Sequence, residues 1–254
     1  MRTLLRNITL STLGSTKKIA NGVHILNSHY IGRDDLSKEV FHDLVNKINK
    51  QADLIPFQEA IELIDNKQTK NKKCVAFSFD DGFEECYTKI APVLTHFNTN
   101  AAFFINPGFI DGDKNYITDF QQNKVHINKT PMSWEQIKEL HQQGFIIGNH
   151  TYDHIKLVGL SADEIKHQII DSKKLIEKHL NANCNYFAWT YGSMNDIDKN
   201  ALDIALQDHK YCFSCDNYTK YHSNNNPKVI NRRHIEGNWP INHVNYFLSK
   251  GKNY

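Results

Sequence analysis

No stretch of the 254 residues approaches the roughly 18 consecutive apolar positions of a membrane-spanning helix. Blocks of like charge are missing too. Lys and Arg number 30 against 28 Asp and Glu, the formal net charge is +2, and no basic track invites a polyanion, so nucleic acid is not indicated as a partner. The five cysteines, Cys74, Cys86, Cys184, Cys212 and Cys215, are odd in number, and no second pair joins Cys212-x-x-Cys215 to complete a zinc site. They read as reduced, buried thiols rather than a disulfide framework. Residues 1–14 lack a secretion signal's small-residue cleavage site and have their apolar run broken by Arg6 and Asn7, so the expected location is the cytoplasm. Internal repeats are absent, and no Asn-Gly turn joins two strand-like runs.

What is present is a chain of 40% hydrophobic content, enough for a full core, in which short apolar runs alternate with amphipathic segments. Strand composition marks 23–31, 73–79, 101–105, 145–148, 186–189, 211–214 and 229–235. Phe41, Leu44, Val45 and Ile48 recur at i, i+3, i+4, i+7, and Phe57, Ile61 and Ile64 predict a second helix after Pro56. Further helices are expected over 84–97 with a kink at Pro92, over 134–143 behind a Ser133/Gln136 capping box, after Ser161/Glu164, over 197–207 and over 241–249. Residues 106–132 read as a long irregular loop facing substrate. Alternation without hairpins implies parallel βα units, and about seven of them predict an α/β fold, a distorted (β/α)7 barrel. Residues 1–22 would form an N-terminal extension and 23–254 the barrel.

Reaction sites in such barrels gather at the C-terminal ends of strands, and three of these ends carry chemistry. The run Lys73 to Phe79 stops on Asp80-Asp81-Gly82. Two adjacent carboxylates repel each other unless a cation or a proton sits between them. His150 and His154, at i, i+4 after another apolar run, can grip one ion from one side. Two imidazoles and one carboxylate leave positions open for water and substrate, the layout of a catalytic zinc site. If Asp81 completes that set, Asp80 lies close enough to take a proton from the water as general base.

Ser78-Phe79-Asp80-Asp81-Gly82 and His150-Thr151-Tyr152-Asp153-His154 resemble the first two motifs of the polysaccharide deacetylase family, the NodB-homology or carbohydrate esterase family 4 domain. The resemblance runs from about Val23 to Ile235. It implies a distorted (β/α)7 barrel that hydrolyses the acetyl group of an N-acetylated sugar, with Asp80 as base and Asp81, His150 and His154 on a divalent metal, Zn2+. The third family motif usually reads Arg-x-Pro-Tyr-Gly and its tyrosine N–H helps hold the oxyanion. Here Ala188-Trp189-Thr190-Tyr191-Gly192 keeps Tyr191 and Gly192 but lacks the arginine and the proline. Arg232 or Arg233 is the candidate replacement for that arginine. The strand 25–29, ending in His29, is similar to the N-terminal strand of the family's circularly permuted branch, which implies His29 as the acid that protonates the leaving amine, with His234 second.

The expected location favours an acetylated sugar of a surface polysaccharide, a lipopolysaccharide or a precursor as partner, and Trp189, Arg232 and Arg233 are candidate substrate contacts. Two other readings stay open. The same three ligands would suit a non-haem iron oxygenase, although the second aspartate argues against it. The altered third motif would suit a non-catalytic carbohydrate-binding barrel.

Overall fold

The computed structural model describes residues 2–254. Its strands are β1 (Gly22–Ser28), β2 (Asp53–Leu54), β3 (Lys73–Phe79), β4 (Ala101–Ile105), β5 (Ile146–Asn149), β6 (Tyr186–Ala188), β7 (Tyr211–Ser214), β8 (Val229–Asn231) and β9 (Arg233–His234). All pair in parallel, in the order β8-β7-β6-β5-β4-β3-β1-β9, with β2 beside the first half of β3. β8 and β9 are one segment interrupted at Arg232. The first half pairs with β7 and the second with β1, so a single strand touches both edges of the sheet and closes it. The expected (β/α)7 barrel is the fold, with the last predicted strand, 229–235, split in two.

Strand side chains alternate between two apolar layers, as the period of two requires. Val23 and Ile25, Cys74 and Ala76, Ala102 and Phe104, Ala188, Phe213 and Ile230 form the inner layer with Phe57, Ile61 and Ile64 of the helix Phe57–Asp65. Leu26, Val75, Phe77, Phe79, Ala101, Phe103 and Ile105 face outward to the helices. Gly148 belongs to the inner row, where a Cβ would lie 2.4 Å from the Phe104 ring, so only glycine lets that ring fill the barrel. Two residues further along, several inner rows turn polar: Asn27 after Ile25, Ser78 and Asp80 after Ala76, Asn106 after Phe104, His150 after Gly148, Cys215 after Phe213, Arg232 after Ile230. That change of polarity at one end of a closed barrel creates the site.

Two expectations change. Residues 84–97 are not a helix kinked at Pro92 but a wide π-helical turn, Cys86–Ile90, followed by the helix Ala91–His96. Pro92 follows directly on that π turn, so the change in helical bonding falls where the N–H is missing. Residues 106–132 are not an irregular loop: they hold the helices Pro107–Asp111 and Lys114–Asp119 and a π turn, Phe120–Lys124. Phe109, Phe120 and Ile127 pack there with Phe83 into a separate small core. At the start of the chain, the helix Arg2–Gly14 lies against Ile241–Leu248, where Ser11 Oγ and His243 Nε2 are 2.9 Å apart. No helix among the described residues is long and apolar enough to cross a membrane.

Candidate active site

β3 continues its sheet pairing for one residue beyond Phe79, because the Asp80 N–H donates to the Ser28 carbonyl at 2.9 Å. Asp80 therefore stays on the inward row. Asp81 and Gly82 then take left-handed backbone, φ 72° and 75°. At Gly82 a Cβ would stand 3.0 Å from the Ile105 side chain, so the glycine is needed twice over. Asp81 has no such excuse. A non-glycine residue in this region stores strain, and Thr151, His154 and Tyr191 share it, with φ of 66°, 54° and 64°.

Asp80 is gripped from below. Arg232 Nη1 donates to Oδ1 at 2.7 Å and Nη2 to Oδ2 at 3.0 Å, while Asn27 Nδ2 donates to Oδ2 at 3.1 Å. The same Nη1 reaches Asn27 Oδ1 at 3.0 Å and Ser78 Oγ at 3.2 Å, and the guanidinium rests 5.0 Å above the Phe104 ring. Both charged groups are buried. Burial alone would raise the Asp80 carboxyl, but Arg232 and then His150 outweigh it and hold the group well below the usual carboxylate range.

Beside it, His150 Nε2 and His154 Nε2 converge on Asp81 Oδ1 at 3.6 and 3.3 Å, and one ligand atom from each of the three residues lies within 4.8 Å of the others. Asp81 Oδ1 is buried and accepts no hydrogen bond. A buried acceptor left bare between two imidazole nitrogens fits a cation, and the N2O donor set with one side open suits a divalent metal of the zinc type. His150 is oriented for this: its Nδ1 lies 2.6 Å from the Ala188 carbonyl, which places the proton there and leaves the Nε2 lone pair free. Burial pushes the His150 imidazole down to about 4, against the pull of Asp80 and Asp81, so it is neutral and able to ligate at neutral pH. Asn106 Nδ2 donates to the carbonyls of His150 and Thr151 and so holds the histidine loop in place.

A cavity of about 340 Å³ opens above these groups. His29 and His234 face it from the opposite side with ring centroids 5.3 Å apart, and His234 Nε2 lies 3.3 Å from Glu236. Burial pushes His29 below its ordinary range, while Asp81 and Asp80 pull the other way. Tyr191, about half exposed, covers the His154 edge, with ring centroids 5.2 Å apart.

Two candidate substrate contacts are misplaced by the sequence reading. Trp189 is fully buried, packs outside the barrel with Phe187 and Leu202, and donates from Nε1 to the Ser193 carbonyl, so it meets no sugar. Arg233 points away from Arg232, stacking 3.6 Å above Phe247 and 4.5 Å from Tyr218. Arg232 lines the cavity, but its guanidinium is committed to Asp80. Sequence reasoning missed Asn27, Asn106, Cys215, Lys124 and His126. The first three lay on inward rows that the strand period would have revealed. Lys124 and His126, which line the cavity mouth, come from the segment read as a loop.

Fold and site together define a class: a closed parallel barrel that presents, at its strand ends, a carboxylate–dihistidine cluster beside a second carboxylate held by arginine. The chain belongs to the polysaccharide deacetylase family, which residues 67–208 match. YxkH of Bacillus subtilis, named for the same family, is 29% identical over 148 residues, 58% of this chain and 47% of that protein. The peptidoglycan-N-acetylmuramic acid deacetylase PdaC of the same organism is 27% identical over 178 residues, 68% of this chain and 34% of its own length. The chain thus spans less than half the length of these curated relatives. Among solved structures, IcaB from Ammonifex degensii shares the fold with a TM-score of 0.69 at 20% identity, covering 92% of this chain and 100% of that one. Streptococcus pyogenes deacetylase PplD, solved in complex with acetate, aligns with a TM-score of 0.66 at 20% identity over 92% and 99%.

Proposed function

We propose that this chain is a metal-dependent hydrolase that removes the N-acetyl group from an acetamido sugar of a glycan or glycan precursor. One observation carries the reading: an ionised, doubly clamped Asp80 stands next to three converging ligands, Asp81, His150 and His154. Zn2+ fits the donor set. When bound, such a cation lowers the pKa of water and polarises the acetyl carbonyl. Asp80 takes the proton of the attacking water, and Arg232 and Asn27 keep its oxygens aimed and ionised. The Tyr191 backbone N–H supports the developing oxyanion, a role that needs neither the arginine nor the proline missing from its motif. His29 delivers a proton to the departing amine, and His234, held by Glu236, stands beside it. The Arg232 clamp also supports catalysis over mere sugar binding, because it supplies a guanidinium for Asp80 where the altered third motif has none.

Acetate release from a panel of N-acetylated oligosaccharides and nucleotide sugars tests this. Activity should vanish with chelator and return with Zn2+, and the product should carry a free amine. Asp80→Asn should keep its metal and lose at least about a hundredfold in turnover. Full activity in Asp80→Asn, or in chelated protein freed of metal, would defeat the assignment.

A further inference from the structure

The cations around the cavity fall into two groups. Lys129 is bonded to Glu85, Lys156 lies 2.6 Å from Asp196, and Lys89 lies 2.5 Å from Asp35. Lys124 and Arg33 have no carboxylate within 4.0 Å among the described residues. Lys124 lines the cavity. Arg33 adjoins its rim, donating from Nη2 to the carbonyl of the lining residue His126 at 2.7 Å. On its outer side Lys124 borders a groove that contains Asp119 and Asp153, but both carboxylates are already engaged. Asp119 accepts from Asn123 at 2.6 Å, and Asp153 accepts from Tyr116 at 2.5 Å and Gln168 at 2.7 Å.

The rest of the lining agrees. Apart from Asp80 and Asp81, every ionisable residue facing the cavity is a base, a phenol or a thiol. Asp80 is neutralised by Arg232, and Asp81 faces two imidazoles. A neutral acetamido sugar offers a lysine at the mouth only neutral oxygen acceptors, whereas an anion offers the stronger charge-assisted partner. The backbone that carries this lysine is firmly placed. Phe120, at the start of its π turn, is buried in the small core with Phe83 and Phe109, and the Val125 N–H donates back to the Phe120 carbonyl at 3.1 Å. The His126 ring closes onto the Gln122 carbonyl at 2.7 Å.

Resting on the deacetylase reading, we infer that the substrate carries a carboxylate or phosphate next to its acetamido sugar, and that Lys124, with Arg33, is the specificity-determining contact for that anion. The uncharged glycan is the poorer substrate.

Wild type, Lys124→Met and Arg33→Met are compared on three probes: a neutral N-acetylglucosamine oligomer, a glycan with a lactyl or uronic carboxylate, and an N-acetylglucosamine phosphate ester. Wild type should favour a charged probe in kcat/KM, through KM, and the advantage should shrink as salt rises. Lys124→Met should lose about fivefold more on the charged probe than on the neutral one. The probe that shows this difference identifies carboxylate or phosphate as the source. Equal kcat/KM for neutral and charged probes in wild type, or equal losses on both in Lys124→Met, would overturn the inference while leaving deacetylation intact. If no probe releases acetate, the deacetylase reading fails, and titration calorimetry with the same probes still decides: tighter, Lys124-dependent binding of the charged glycan supports the anion site, and equal binding overturns it.

Discussion

The two walls of the cavity have different origins. Asp81, His150, His154 and Tyr191 stand on one side, at the ends of β3, β5 and β6, and all lie within the stretch that matches the family. Asn27, His29, Arg232 and His234 stand on the other, at the ends of β1 and of the β8/β9 segment, and all lie outside it. The first wall presents the converging ligands; the second grips Asp80 and offers the histidines. A barrel is closed, so residues from the two ends of the chain become spatial neighbours as readily as residues from adjacent strands. On the proposed reading, metal holding and proton handling should be separable by mutation.

The largest expected effect lies on the ligand wall. His150→Ala should lose bound metal, measured by elemental analysis, and with it essentially all acetate release. On the opposite wall His29→Ala should retain metal and lose turnover by about a hundredfold or more if it supplies the proton. His234→Ala should cost less, and a reversal of that order would move the acid to His234. Arg232→Lys comes next: it keeps the charge but not the two-pronged bond, and should cost roughly tenfold to a hundredfold in kcat with metal content unchanged. Its pH–rate profile should shift too. Weakening the interaction that holds Asp80 low raises its pKa, so the acidic limb should move to higher pH. Complete removal, Arg232→Met, leaves a buried carboxylate unpaired and should destabilise the fold by about 3–5 kcal/mol.

The smallest effect falls on neither wall. His24, whose Nε2 lies 3.0 Å from the Ala20 carbonyl, and His209, beside Phe187, are both pushed by burial down to about 4 from an ordinary 6.5. Between those values the unfolded chain binds more protons than the folded one. The urea midpoint should therefore fall as the pH drops from 6.5 to 4, and His24→Gln should flatten that slope.

Legibility follows the same division. The ligand wall could be read locally, because Asp80-Asp81 and His150/His154 are short patterns at the ends of apolar runs. The Arg232–Asp80 bond joins residues 152 apart in the chain, and no local pattern reports such a pairing. The strand period nevertheless contained the choice between the two arginines: Ile230 faces inward, so Arg232 does as well and Arg233 does not. It also separated Ala188, inside, from Trp189, outside. The segment 106–132 stayed opaque because Phe109, Phe120 and Ile127 are too widely spaced to show a period, although they meet in space.

The strand that closes the barrel also carries Arg232. β3, β5 and β6 precede residues 229–234 in the chain, so Asp81, His150 and His154 are synthesised before the residue that clamps Asp80. Completing the cylinder and clamping Asp80 are one event, because both depend on residues 229–234.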